Sequence, residues 1–307
     1  MSSQQVAFLG LGALGIHMAR NLQDHLAKTK QAPLLVWNRT RSKSEALQQA
    51  RPEIKIADSI EQVASKADLV IVSMLNDAAV TEVVTKLLDG GLKKDAIIVE
   101  TSTIAPRVGQ VLADKASAQG VYYIACPVMG PPPMAEAAKL TLLISGAPEA
   151  RAKALEYLYN VVGQKKIEVG DSPMAGYKLK LNGNFFVTGF CEVLAEGLTL
   201  GEASGVGQEH VVELIDLVWP GTLLSVYAKR MLGNTYNDDI FFPLTSTRKD
   251  VNHIRDMAKD ANAHLPTTER FLSNLEHVLE NKGDVDISGV VVALRQQAGL
   301  DGDLNKK

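Results

Sequence analysis

Near its start the chain carries Gly10-Leu11-Gly12-Ala13-Leu14-Gly15, placed directly after the apolar run Val6–Leu9 and before a stretch containing Met18, Ala19 and Leu22 at helical spacing. A strand, a Gly-x-Gly-x-x-Gly turn and a helix, in that order, form a dinucleotide-binding arrangement. Gly10 permits the tight turn and Gly12 lets a pyrophosphate approach the backbone. Gly15 lets the helix pack on the strand while its N-terminal N–H groups face the phosphates. At the end of the second expected strand, where a carboxylate would meet a ribose 2′-hydroxyl, the chain reads Asn38-Arg39-Thr40-Arg41-Ser42-Lys43. No acid stands there to repel a 2′-phosphate. Arg39 can stack on adenine or fork onto that phosphate, and Asn38 and Thr40 can add neutral hydrogen bonds. The expected cofactor is NADP(H) rather than NAD(H).

These residues need rigid elements to hold them. From residue 5 to about 170, short runs rich in Val and Ile alternate with longer amphipathic stretches, the pattern of repeated β-α units on a parallel sheet. Strands are expected at Val6–Leu9, Leu34–Trp37, Leu69–Ser73, Ala96–Glu100, Tyr122–Ala125, Leu140–Ser145 and Lys166–Val169. Helices are expected between them at Leu14–Lys28, Ser42–Ala50, Ala78–Leu88, Ala105–Gln119 and Pro148–Asn160. This is a doubly wound α/β sheet. Asn76 and Thr103 then fall just after strand ends, where an open sheet binds ligands, and either can contact a nicotinamide ribose or ring amide. Leu75 can reach the cofactor through its backbone.

After Gly170 the β-branched runs vanish and helical periodicity takes over. Pro173 suits a first helical turn and Met174 to Ser204 contains no proline, so about thirty residues can run as one helix about 45 Å long. Gly176, Gly183, Gly189, Gly197 and Gly201 each cost that helix about 1 kcal/mol relative to Ala, which implies close approach by other elements. Further helices are expected at Glu209–Val218, Thr222–Met231, Leu244–Asn262 and Thr267–Glu280, and the last residues, Asp301–Lys307, look frayed. The expected domains are residues 1–170, binding the dinucleotide, and 171–307, helical.

Composition narrows the field. The 307 residues exceed what one core usually organises, and 46% hydrophobic with 22% charged residues describes an ordinary globular chain. A net charge of −3 supplies no field for nucleic acid or an anionic membrane. The two cysteines, Cys126 and Cys191, lie far apart, and the six histidines are scattered, so neither a disulfide framework nor a metal site is expected. With no basic leader and no apolar run approaching roughly 18 residues, the expected location is cytoplasmic.

The longer landmarks are Gly10 through Leu22, Ser73-Met74-Leu75-Asn76, Thr101-Ser102-Thr103-Ile104-Ala105-Pro106, Pro127-Val128-Met129-Gly130, Gly176-Tyr177-Lys178-Leu179-Lys180-Leu181-Asn182-Gly183-Asn184 and Lys249-Asp250. In this order and spacing they resemble the β-hydroxyacid dehydrogenases, the family containing 3-hydroxyisobutyrate dehydrogenase and the glyoxylate and succinic semialdehyde reductases. The resemblance implies an N-terminal Rossmann domain, a long interdomain helix and a helical C-terminal domain that forms a homodimer. It implies that Lys180 protonates a carbonyl oxygen as hydride arrives, and that Asn184 helps hold the substrate, with Asn182 as the register alternative. A helical i, i+4 spacing puts Lys180 and Asn184 on one face, able to converge on one oxygen. A cation that is also a proton donor suits the negative charge that develops there. Lys249 matches the family's lysine near the nicotinamide.

The substrate loop departs from the family. Members usually read Asp-x-Pro-Val-Ser-Gly-Gly, whose serine and glycine N–H groups hold a carboxylate. Here the loop is Ala125-Cys126-Pro127-Val128-Met129-Gly130-Pro131-Pro132-Pro133. Met129 has no hydroxyl and Pro131 has no N–H, so two expected donors are missing. Met174 also stands where the family usually has glycine. The expected activity is an NADPH-dependent reductase, reversibly a dehydrogenase, of a small aldehyde or ketone. The alternatives are an imine reductase or reductive aminase, which also lack the carboxylate loop, and a non-catalytic dinucleotide-binding module.

Overall fold

The structure, a computed structural model, describes residues 4–303, so the expected frayed tail lies outside the described residues from 304 on. The chain divides into two compact units, Met1–Lys180 and Leu181–Lys307.

The first unit alternates strands and helices: β1 (Val6–Leu9), α1 (Gly15–Lys28), β2 (Leu35–Trp37), α2 (Arg41–Ala50), β3 (Lys55–Ile56), α3 (Ile60–Lys66), β4 (Leu69–Val72) and α4 (Asp77–Asp89). It continues through β5 (Ile97–Glu100), α5 (Pro106–Ala118), β6 (Tyr122–Ala125), β7 (Val128–Met129), α6 (Pro132–Glu136), β8 (Leu140–Ser145), α7 (Pro148–Leu158) and β9 (Gly163–Gly170). The sheet order is β3-β2-β1-β4-β5-β6-β8-β7, with β9 also on β8. Strands β1 to β6 are parallel. Neighbouring residues on each strand face opposite ways. Val6, Phe8, Ile71 and Val99 pack with Met18 and Leu22 of α1, whereas Ala7, Leu9, Val70 and Ile98 pack with Val80 and Leu87 of α4 and Leu112 of α5. Burial on both faces explains the continuous apolar runs.

The doubly wound parallel sheet expected is present through β6, and the strands beyond it add an antiparallel edge. β8 is antiparallel to both β6 and β7 and carries β9 parallel to itself. Only the short α6 separates β7 from β8, and a parallel return needs a longer crossover. The sequence reading missed β3, α3, β7 and α6, all too short to show periodicity. Ser59 starts α3 by accepting the Gln62 N–H at 3.2 Å, and the prolines expected in a loop form the first turn of α6.

The long helix α8 runs unbroken over Pro173–Ala203. The second unit continues with α9 (Gln208–Val218), α10 (Leu223–Leu232), α11 (Leu244–Asp260), α12 (Pro266–Asn281) and α13 (Val291–Gln297). Leu198, Tyr227, Met231, Val251, Phe271 and Leu275 are among its core residues. Close approach holds for Gly176, where a Cβ would lie 2.8 Å from Ser145 Oγ, and for Gly201, where it would lie 2.5 Å from Val211 Cγ2. It fails for Gly197, which has nothing within 4 Å. Gly197 belongs instead to an outward stripe with the exposed Phe186, Phe190, Val193 and Leu200. No helix among the described residues is long and apolar enough to cross a membrane.

Candidate active site

Because β1, β2, β4, β5 and β6 are parallel, the segments after them emerge at one edge of the sheet. These are the glycine turn, Asn38–Thr40, Ser73–Asn76, Thr101–Thr103 and Pro127–Gly130, and this edge is the ligand-binding edge of such a sheet. Gly10 has φ +100°, and a Cβ on it would collide with the Ser73 carbonyl. A Cβ on Gly15 would collide with the Gly10 carbonyl, whereas Gly12 is exposed with nothing within 4 Å. The N–H groups of Gly12, Ala13 and Leu14 donate to no backbone carbonyl among the described residues. Like α2, α5 and α11, α1 has neither a side-chain cap nor an acid in its first turn. An open glycine, unspent amides and an unopposed helix dipole fit a dinucleotide pyrophosphate.

Asn38 is committed to this turn. Its Oδ1 accepts the Leu11 N–H at 2.8 Å and its Nδ2 donates to the Thr40 carbonyl at 2.9 Å. Arg39 and Thr40 are exposed. Arg41 is paired with Glu45 and Asp58, while Arg39 forms no ion pair among the described residues. Leu75 is 72% exposed. Asn76 caps α4 by accepting the Ala79 N–H at 2.9 Å, and Thr103 is half-buried beyond β5. Ser102 Oγ ties the two loops by accepting the Met74 N–H at 2.7 Å.

At the same edge Lys180, half-buried, donates from Nζ toward Met129 Sδ at 3.1 Å. Pro127 and Val128 of the same loop are buried. Gly130 turns it at φ +138°, where a Cβ would lie 2.8 Å from Leu140 Cδ2. Lys178, two residues earlier than Lys180, is exposed. Two unpredicted residues form a buried pair in the same unit: Glu100, fully buried at the end of β5, and Tyr177, three residues before Lys180 on α8, whose hydroxyl donates to Glu100 Oε2 at 2.8 Å.

The second unit gathers a separate group. Asn184 is buried and donates from Nδ2 to Asp250 Oδ2 at 2.6 Å, while Asn182 is exposed. Lys249 Nζ donates to Asp250 Oδ1 at 2.7 Å. The buried Asp250 carboxylate thus joins two predicted residues, a role the sequence reading missed. Its signal was the Lys249-Asp250 pair itself, an acid beside the lysine on a helix.

No group of three or more His, Cys, Asp or Glu side chains that could hold a metal occurs among the described residues. Both cysteines are buried, and burial pushes both thiols up, that of Cys126 with help from the Glu100 charge. Tyr227 is core, and Phe242 packs against the same cluster.

Residues 5–170 match the family described as the NAD binding domain of 6-phosphogluconate dehydrogenase. The chain is 29% identical to an NADH-dependent oxidoreductase of Aspergillus ustus, over 94% of this chain and 98% of the relative. Among solved structures it is similar to the 3-hydroxyisobutyrate dehydrogenase of Mycobacterium tuberculosis, with TM-score 0.82 and 20% identity, covering 96% of this chain and 100% of that one. An imine reductase from Pseudomonas shares the fold at TM-score 0.59 and 22% identity, over 95% of this chain and 99% of the other.

Proposed function

The chain is an NAD(P)-binding oxidoreductase of the β-hydroxyacid dehydrogenase family, and from that premise we propose that it is an NADP(H)-dependent reductase, reversibly a dehydrogenase, of small aldehydes or ketones. The observation that carries this reading is the Lys180 ammonium directed at the substrate loop, 3.1 Å from Met129 Sδ, at the edge where the glycine turn opens. The bound cofactor supplies the hydride. Lys180 offsets the negative charge that builds on the carbonyl oxygen and gives that oxygen its proton; in the reverse direction it takes the proton back. Asn184, one turn further along α8 and oriented by Asp250, holds the substrate. The glycine turn holds the pyrophosphate, and Arg39 takes the 2′-phosphate.

The loop around Met129 and Pro131 supports a substrate whose distal group is uncharged. Thioether and proline offer no donor to a carboxylate, and a site without those donors loses its discrimination in favour of acids. The test is NADPH oxidation with succinic semialdehyde against its methyl ester, repeated with Lys180→Ala. Preference for the ester and loss of turnover at retained NADPH affinity are expected. Undiminished turnover in Lys180→Ala would remove Lys180 from the mechanism, and preference for the free acid would restore the ordinary family substrate. The same donor-poor loop favours imine reduction as the second reading, which requires NADPH oxidation that depends on added amine.

The exposed stripe of Phe186, Phe190, Val193 and Leu200 around Gly197 supports a homodimer formed through α8. Phe190→Glu is expected to leave a monomer in sedimentation; a wild-type chain that is already monomeric at micromolar concentration would rule the dimer out.

A further inference from the structure

Glu100 closes β5 with no exposed surface. A carboxylate out of water is costly unless its oxygens are satisfied. Here Oε1 accepts the Ser102 N–H at 2.8 Å and Oε2 accepts the Tyr177 hydroxyl at 2.8 Å. That bond uses the single hydroxyl proton of Tyr177, so the 2.8 Å contact between the Tyr177 and Tyr123 oxygens is donated by Tyr123. Burial and the Glu100 charge push both phenols well above their ordinary range, which keeps them protonated as donors.

The Tyr177 ring lies where Gly109 of α5 has no side chain, and a Cβ there would collide with it. One residue earlier, the Gly176 N–H donates to Ser145 Oγ at 2.9 Å, and that hydroxyl donates to the Pro173 carbonyl at 3.1 Å. The opening turns of α8 are therefore fastened twice, to β8 through Ser145 and to β5 through Glu100. Lys180 follows Tyr177 by three residues, on the same side of the helix. Apolar packing tolerates sliding and rotation, whereas a hydrogen bond to a buried carboxylate does not.

We propose that Tyr177 and Glu100 are positioning residues for Lys180: their hydrogen bond sets the rotation of α8 that delivers the Lys180 ammonium to the substrate loop. This rests on Lys180 being the proton donor. A donor displaced by about an ångström can lose a hundredfold in rate, so the effect is readable in turnover.

Tyr177→Phe keeps the ring and removes the oxygen. At a temperature where the variant is folded, and with whichever of succinic semialdehyde and its ester is turned over, kcat should fall at least about tenfold while the KM for NADPH stays within about twofold. The ratio of kcat in H2O to kcat in D2O should rise, because a displaced donor slows proton transfer. Wild-type kcat with an unchanged isotope ratio would overturn the proposal. In a Lys180→Ala background, Tyr177→Phe should add no further loss, and an equal loss in both backgrounds would also overturn it. Glu100→Leu serves if Tyr177→Phe fails to fold: it removes both acceptor oxygens, so the same fall in kcat and rise in isotope ratio are expected. Turnover that survives Lys180→Ala alone would sink the donor reading. A strongly impaired Lys180→Ala beside a fully active Tyr177→Phe would sink the positioning role and leave the donor standing.

Discussion

Lys180 Nζ and Met129 Sδ, 51 residues apart in sequence, meet at 3.1 Å. A thioether is a weak acceptor, so the contact holds the ammonium near the loop without competing strongly for its proton. In the proposed site, position 129 is where a donor to a substrate carboxylate would stand.

Met129→Ser is therefore expected to move selectivity toward acids. A hydrogen bond to a charged group contributes about 1.5–3 kcal/mol, so the kcat/KM ratio of succinic semialdehyde to its ester should rise about tenfold or more. An unchanged ratio would show that the loop does not read the distal group of the substrate.

Much of the first unit was legible because buried parallel strands are continuous apolar runs: β1, β6 and β8 have the bounds expected. The glycine turn was legible because backbone geometry at Gly10 and Gly15 admits no side chain. Glu100 was not. It reads as the polar end of a strand, and its meaning lies in a tyrosine 77 residues away. Asp250 likewise needed Asn184, 66 residues away. Single-residue patterns encode elements, whereas buried polar pairs appear only once the chain is folded.

Arg39→Ala tests the cofactor preference. Arg41 is already held by Glu45 and Asp58, whereas the exposed Arg39 forms no ion pair among the described residues. Loss of one charge-assisted contact should raise the KM for NADPH about tenfold or more and leave that for NADH nearly unchanged. Equal effects on both would assign Arg39 to adenine stacking. A wild-type chain that prefers NADH, the cofactor in the name of the Aspergillus relative, would reverse the preference itself.

Asp250→Ala should act on substrate binding. It leaves the buried Asn184 amide without its 2.6 Å acceptor and Lys249 without its 2.7 Å partner. Breaking a buried charge contact costs about 3–5 kcal/mol, so the melting temperature should drop, and the KM for the carbonyl substrate should rise more than kcat falls. A variant that melts lower but keeps the wild-type KM would confine Asp250 to stability.

Glu192 makes stability depend on pH. It is 1% exposed on α8, and its Oε1 accepts the Asn274 Nδ2 at 2.6 Å, while Oε2 has no hydrogen-bond partner. Burial, reinforced by the Glu196 charge, pushes its carboxyl up to about 7. The folded state therefore keeps a proton that the unfolded chain releases near the ordinary glutamate value. Its stabilising contribution is complete below about pH 4.3 and is lost as pH rises toward about 7, above which both states are ionised. Thermal melts from pH 5.5 to 8 should show the wild type losing stability across this window. Glu192→Gln, neutral throughout, should flatten that part of the curve and melt higher than wild type at pH 8. Parallel curves for the two proteins would show that Glu192 is ionised across the whole range.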